Sequence, residues 1–539
     1  MKQLFMLVAF SVFVQNATSQ TTVPQCTVLS IDRIGGIGDD GISANPGTIT
    51  YPDGTFSLQL ASSTDTSINL CPYFNGYSSY FQRYTADYTT ILDTTCAPMG
   101  INFRIPTYFV FPLANGDTIL FGQSNDDGYN YGMERRDSSG NVLWTKSYGG
   151  SSSDAFVSAV PVPNGSGFFI NGGSLSDDGD VGLHYGGGFS YDIWIIKVNN
   201  DGDLLWSKVI GGTDNDNIVD MVPADDGGLY LFGLSDSDDH DVSGNHGGYD
   251  LYIAKLDSMG NIEWHHCYGG SGTEGVQHFK ALKDGSGGFY VGVTTNSTDG
   301  DVQRRPALGT DFWLLHIDSA GTLLRENTVG GPSLETFSDM CRSTDGSIWM
   351  GGYSDGGSLA GSAGGDVAYS YGWHDGWVVH LDTLGDFINS CTLGANNNEE
   401  VVMLHPLPDG TVLAGGRYNI AYGPDTVFSP NFPHIIKGGA DVFIARLSPD
   451  NDLGIDKEQA DMSLWTLFPN PAQQEFTIEI KNNNRKFHIT VTDAQGRRVY
   501  HDKFKSKIAI PTLSWPPGMY WVTISRDKLS DTKKLIIKK

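Results

Sequence analysis

Dense apolar runs recur along the chain about every sixty residues. GFFINGGS, GLYLFGLS, GFYVGVTT, SIWMGGYS and TVLAGGRY begin at 167, 228, 288, 347 and 411. Each follows a stretch of alternating apolar and polar residues, such as DAFVSAVPVPNG from 154. Each also precedes a Gly/Asp-rich loop and then a second apolar run: DIWIIK, DLYIAK, DFWLLH, DGWVVH or DVFIAR. A D-x-x-G type of turn then leads into stretches such as DLLWSKVIGG, which ends at Gly212. Period-two alternation over five to eight residues, bounded by Gly and Asp, predicts strands. Four strands joined by tight turns predict one antiparallel sheet per unit. A lone four-stranded sheet cannot bury both of its faces, so the units must cover one another. Repeated radially, they form a β-propeller.

Glycine pairs close the units at 149, 211, 269 and 330, with a degenerate Gly-Ala at 394, giving intervals of 62, 58, 61 and 64 residues. Two further units align upstream. YSSYFQRYTADYTTIL (77–92) and YNYGMERRDSSGNVLW (129–144) both match YDIWIIKVNNDGDLLW (191–206). The expected fold is therefore all-β, a seven-bladed propeller over 26–449, with six or eight blades open if the first hundred residues divide differently. The stretch 27–36, TVLSIDRIGG, reads as a fourth strand with nothing before it, while the last unit lacks one. Pairing the two would close the ring and remove its exposed edges. Residues 450–465 are polar and read as a linker, and 466–539 as a small β-sandwich of six or seven strands.

Charge sharpens this division. The chain carries a formal net charge of −28, yet the segment from Thr466 onward holds 14 Lys+Arg against 6 Asp+Glu, leaving −36 on the rest. Such an acidic body cannot displace counterions from phosphates, which argues against nucleic acid as a partner. The first nineteen residues, a lysine followed by an apolar run and small residues, read as a secretory signal peptide. No later segment is long and apolar enough to predict a transmembrane helix. The six cysteines allow disulfides in 15 connectivities, and a Cys71–Cys96 bridge within one unit is favoured.

LFPNPAQQEFTIEI, VTDAQGRRVY and PPGMYWVTI, followed by a lysine-rich finish, resemble the type A C-terminal sorting domain of the Bacteroidetes type IX secretion system. The resemblance rests on Pro469, Asn470, Pro471, Asp493, Gly496, Gly518, Met519 and Tyr520. It implies export across the outer membrane by the type IX machinery, to the cell surface or the medium. The preceding units resemble glycine-rich propeller repeats of secreted proteins in that phylum.

Candidate chemistry is sparse. An aspartate stands five residues before a basic residue or histidine in each late unit: Asp192/Lys197, Asp250/Lys255, Asp311/His316, Asp375/His380 and Asp441/Arg446. Recurrence in every unit points to a stacking role, in which the carboxylates satisfy turn amides. The loops after the dense strands are acidic, with Asp177, Asp178 and Asp180, then Asp236, Asp238, Asp239 and Asp241, then Asp299 and Asp301. They could offer oxygen ligands to Ca²⁺, although their spacing is not that of an EF-hand. Asp257-Ser258-Met259, Asp318-Ser319-Ala320 and Asp382-Thr383-Leu384 resemble a short O-glycosylation signal of Bacteroidetes. No nucleophile elbow, HExxH or P-loop occurs. The expected function is thus a non-enzymatic surface or secreted module that binds an extracellular glycan or protein, without a cofactor. The alternative is a polysaccharide hydrolase with a carboxylate pair at the propeller axis.

Overall fold

The computed structural model describes residues 27–34, 39–42, 48–50, 56–63, 77–85, 91–96, 109–124, 129–187, 189–303, 309–331, 333–355, 366–367, 373–394, 398–419, 440–449, 465–469, 471–480, 487–493, 497–526 and 529–538. Among them there is no helix, and therefore no helix long and apolar enough to cross a membrane. The chain divides into two compact units, Met1–Pro449 and Asp450–Lys539.

In the larger unit, each sixty-residue repeat is an antiparallel sheet whose strands lie in chain order. Asp154–Pro161, Gly167–Ser174, Asp192–Asn199 and Leu204–Ile210 make one such sheet. Phe109–Pro112 to Val142–Tyr148, Asp216–Pro223 to Ile262–Tyr268, and Glu274–Lys283 to Leu323–Val329 make three more. Leu334–Arg342 to Phe387–Leu393 follows, its ladder joined to the next group by the single pair His374 and Asn398. That last group holds Asn398–Pro406, Val412–Asn419 and Ala440–Ser448. Its fourth strand is Thr27–Ile34, paired antiparallel from Thr27 opposite Ser448 to Ile34 opposite Val442. Near the N-terminus, Asp39–Ile42, Phe56–Ser63, Tyr77–Tyr84 and Ile91–Cys96 form a further four-strand path, with Thr48–Thr50 added beside Phe56–Ser63.

Successive side chains of the third strands feed two different cores. Trp194 and Ile196 pack with Phe121, Tyr131 and Met133 of the preceding sheet, while Ile193 and Ile195 pack with Leu229, Leu231 and Tyr252 of the following one. The pattern repeats with Ile253 and Trp313, and with Leu314 and Trp377. The four sheets between Asp154 and Leu393 thus have both faces covered by their neighbours, which explains why their central strands are apolar throughout rather than alternating. First strands touch the first strands of the next sheet, whereas fourth strands alternate towards solvent. The first strands therefore line the inside of the stack.

In three fourth strands a tryptophan, Trp144, Trp206 or Trp264, locks adjacent sheets. Trp206 Nε1 donates to the Ser258 carbonyl in the next sheet's turn, at 3.1 Å. Gly260 of that turn has φ +81°, and an added Cβ would come within 3.2 Å of the Trp206 ring. The turn therefore needs glycine twice over, for its left-handed backbone and for the approach of the ring. Gly202 over Trp144 and Gly321 over Trp264 repeat the contact.

Cys267 and Cys341 are buried free thiols, so the six cysteines do not all pair. Cys71 and the Cys96 side chain lie outside the described residues.

The smaller unit has two sheets, Trp465–Phe468, Glu475–Ile480 and Lys507–Pro511 in one, and Phe487–Asp493, Arg498–Phe504, Gly518–Arg526 and Leu529–Ile537 in the other. Phe476, Ile478 and Ile510 from the first share a core with Phe487, Ile489, Val491, Val522 and Ile524 from the second.

Candidate functional site

The acidic loops fold back on the glycine pairs. Asp178 Oδ1 accepts the Ser151 N–H (2.7 Å), Asp239 Oδ1 that of Thr213 (2.8 Å), and Asp299 Oδ1 that of Ser271 (2.7 Å). Two residues on, Asp180, Asp241 and Asp301 each donate a backbone N–H to the carbonyl of the first glycine, Gly149, Gly211 or Gly269. The Asp180 and Asp301 carboxylates also accept that glycine's own N–H. These side chains hold the exit from one sheet to the next. Asp238 accepts the Gly244 N–H (2.9 Å), and Asp177 and Asp236 are exposed. Among the described residues, no three His, Cys, Asp or Glu side chains come together as a metal cage.

The aspartates and basic residues spaced by five do not meet, because they stand at opposite ends of the third strand. Asp192, Asp250, Asp311 and Asp375 are buried at the glycine-pair end, whereas the Asp441 side chain lies outside the described residues. At the other end, Lys255 Nζ meets Asp226 (2.8 Å) and Glu263 (3.1 Å), and Arg446 meets Asp409 (2.5 Å). Lys197 lies over the Phe169 ring, His316 stacks on Tyr290, and His380 on Trp349. In the fourth strand His265 stacks on Tyr252, while its neighbour His266 turns to Trp264. Ser258, Ser319 and Thr383 are exposed at the turns.

The inner strands carry the least repetitive chemistry. One register position recurs, opposite the fourth or fifth residue of each second strand: Ser158, Asp220, Lys280, Asp339 and Met403 in five successive sheets. The five repeats fill it with four different side chains, and in three of them it is charged. Asp220 accepts the Met221 N–H (2.8 Å) and one from Ala281, on the next inner strand. Asp339 accepts the Leu404 N–H, again on the next inner strand, at 2.8 Å. Burial raises both carboxyls, and Lys280 opposes that rise. Burial works against the Lys280 charge, but Asp220 and Asp339 together overcome it and hold the ammonium above its ordinary pKa.

The strand carrying Lys280 is also irregular. Glu274–Lys283 has ten residues, and its ladder breaks between Glu274 and Phe279. His278 lies in this interruption, lowered by burial despite the nearby Glu400, with Arg417 adding to the fall. Glu400 pairs with Arg417 (2.6 Å) and faces the Ser338 hydroxyl (3.4 Å). His278, Ser338, Glu400 and Arg417 thus lie towards the long-loop end of the inner strands, with Asp220, Lys280 and Asp339 further along. Sequence reasoning missed this cluster. Its members are singletons within a repeat, and only alignment of five inner strands at the register of their bulges would have exposed them.

In the smaller unit the residues carrying the sorting-domain resemblance are architectural. The Phe468–Pro469 peptide is cis, Pro469 and Pro471 are exposed, and Asn470 and Gly496 lie outside the described residues. Asp493 accepts the Arg497 N–H (3.0 Å) and pairs with its guanidinium (2.8 Å), closing a turn. Gly518 opens the strand in which Tyr520, buried against Trp515, donates its hydroxyl to the Pro516 carbonyl (2.8 Å). Residues 466–538 match the secretion system C-terminal sorting domain family. The chain is exported by type IX secretion to the cell surface or the extracellular space. Its sorting domain implies a partnership with the type IX machinery.

No curated protein matches the chain in sequence. Among solved structures it is similar to a quinohemoprotein alcohol dehydrogenase from Comamonas testosteroni, at 10% identity and a TM-score of 0.42, over 79% of this chain and 78% of that one. A neuraminidase-like protein of A/flat-faced bat/Peru is similar at 10% identity and a TM-score of 0.34, over 78% and 95%. A puromycin-hydrolyzing peptidase of Mycobacterium tuberculosis is similar at 11% identity and 0.36, over 75% and 62%. At such identities no site residue of those proteins transfers to this chain.

Proposed function

We propose that residues 26–449 form a seven-bladed propeller closed by Thr27–Ile34, and that it acts outside the cell as a binding module for a glycan or a protein. Supporting the count are seven four-strand paths in chain order, the last completed by the first strand of the chain. On this reading residues 1–19 are the export signal, 450–465 a linker, and 466–539 a sorting β-sandwich.

The observation that carries a binding role is the inner-strand cluster. It breaks the repeat, as a site for one ligand must, and its charges are already spoken for. Glycoside hydrolysis needs a carboxylic acid and a carboxylate on either side of the scissile bond. Asp220 and Asp339 instead share one lysine and accept backbone N–H groups of neighbouring strands. Groups held this way suit hydrogen bonding to hydroxyls or amides better than proton transfer. The hydrolase alternative has one point in its favour, the raised pKa of both carboxyls, which a general acid requires.

The exported chain, applied to glycan and extracellular-matrix arrays, should be retained by a defined ligand. Arg417→Ala and His278→Ala should weaken that retention at least tenfold. Release of sugar from a polysaccharide panel, abolished by Asp220→Asn, would instead establish hydrolysis. Calcium at the acidic loops is a separate part of the reading. A melting temperature raised by millimolar calcium, and lowered again by EDTA, is its test.

A further inference from the structure

At the sheet junctions of Gly211 and Gly269 the third-strand aspartate of one sheet and the first-strand acid of the next both approach the joining glycine. Asp192 Oδ1 and Asp216 Oδ2 lie 2.5 and 2.8 Å from where a Gly211 side chain would begin. Asp250 Oδ1 and Glu274 Oε2 flank the same point at Gly269. Glycine is required at these joints because two carboxyl groups occupy the space of a Cβ.

The two acids of a pair have unequal surroundings. Asp216 accepts the Gly212 N–H (2.7 Å) and the hydroxyls of Ser237 (2.9 Å) and Ser235. Glu274 accepts the Thr295 hydroxyl (2.7 Å) and the Gly270 N–H (3.3 Å). Such donors stabilise an ionised carboxylate. The third-strand partners use only one oxygen in this way: Asp192 Oδ2 accepts the Tyr185 N–H (2.7 Å), and Asp250 Oδ2 that of His246 (2.9 Å). Their Oδ1 atoms are buried without any donor, on residues with 0% exposure. A donorless buried oxygen aimed at another carboxylate is costly unless it carries a proton.

One junction is written differently. Asn130 occupies the place of Asp192, and its Oδ1 faces Asp154 Oδ2 at Gly149, also without a donor. Amide oxygen and nitrogen have the same shape, so a half-turn of this side chain places its NH₂ on Asp154. Asparagine has the outline of a protonated aspartic acid, and here the chain supplies a permanent neutral donor.

We propose that each acidic junction holds one proton shared between its two carboxyls, Asp192 with Asp216 and Asp250 with Glu274, so that the sheets loosen from one another when the proton is lost. The other charged groups facing the first pair are His184, 3.9 Å from Asp192 Oδ2, with Asp214 and Asp241. Facing the second are His246, 2.6 Å from Asp250 Oδ2, and Asp301. Both histidines sit on Oδ2, away from the shared proton. Burial, and then the neighbouring carboxylate, raises Asp192 to about 6 and Glu274 to about 7, and Glu335 beside Asp311 likewise to about 7. The folded chain therefore keeps protons that the unfolded chain releases near pH 4. This contribution to stability is complete below that pH and disappears as pH rises through 6 to 7.

The test is the melting temperature of the exported chain from pH 5 to 8.5, in EDTA, with Asp192→Asn and Asn130→Asp. Wild type should lose stability over this range, and Asp192→Asn should lose less of it and equal or exceed wild type at pH 8. Asn130→Asp, which adds an acidic junction, should match wild type at pH 5 and fall below it at pH 8. An equal loss for Asp192→Asn at both pH values would overturn the proposal, as would an Asn130→Asp chain indistinguishable from wild type at pH 8. Millimolar calcium that restores wild type at pH 8 but leaves Asp192→Asn unchanged would also overturn it, and would assign the junction to a cation.

Discussion

A few residues bear most of the stacking geometry. Gly321 has φ +80°, and a Cβ there would lie 2.6 Å from the His266 ring and 2.7 Å from Trp264. Left-handed backbone alone costs an L-residue about 1–2 kcal/mol, and the ring contact adds to it. Gly321→Ala should therefore lower unfolding free energy by roughly 2–3 kcal/mol, read from the urea midpoint. Lys280 is a second such residue. Lys280→Met strands Asp220 and Asp339 without their shared cation, which should destabilise by roughly 3 kcal/mol at pH 7. Since both carboxyls are already raised by burial, the variant should regain stability as pH falls and they become neutral. A loss equal at pH 5 and pH 8 would show that Lys280 acts by packing alone.

Among the elements, the strand Thr27–Ile34 has a role out of proportion to its length. It covers the edge of Ala440–Ser448 along seven paired positions. Deleting 27–34 leaves that edge free to pair with another chain. The shortened protein should elute as dimers or larger species in size-exclusion chromatography, and a synthetic peptide of 27–34 added in trans should shift it back towards monomer. The ten-residue Glu274–Lys283 strand is the other exceptional element. Its extra residues carry His278 into the cluster, and its own ladder with Phe289–Thr295 resumes at Phe279 opposite Val293.

For the whole molecule, charge and architecture divide together. The unit Met1–Pro449 carries a net charge of −32 and the unit Asp450–Lys539 a net +4, with +8 on the segment from Thr466 onward. Removing 466–539 should leave the chain inside the cell envelope, and fusing that segment to an unrelated exported protein should bring it to the surface or medium, as followed by fractionation and immunoblot. Retention of export by the shortened chain would disprove an address in the tail. The acidic body should also keep the exported protein soluble and away from anionic polymers, since self-repulsion and phosphate repulsion have the same sign.

Strand identity, the sixty-residue period and the pairing of 27–36 with the last repeat were legible in the sequence. Side-chain alternation and glycine-bearing turns are local signals, and repetition averages away their noise. So was the export address, which lies in a contiguous run. The sequence also pointed to a structural role for the third-strand aspartates, as acceptors of turn amides or contacts to an adjacent unit, without showing which acid each would approach. Asp192 faces Asp216 across Gly211, twenty-four positions away, rather than Lys197 on its own strand. The cluster of Asp220, Lys280, Asp339, His278, Glu400 and Arg417 could not be read at all. Those side chains come from four repeats, and only the curvature that brings first strands side by side makes them neighbours. Local pattern decides what each segment becomes. Which charges must share a buried space is decided by packing between segments, and that depends on distances in three dimensions.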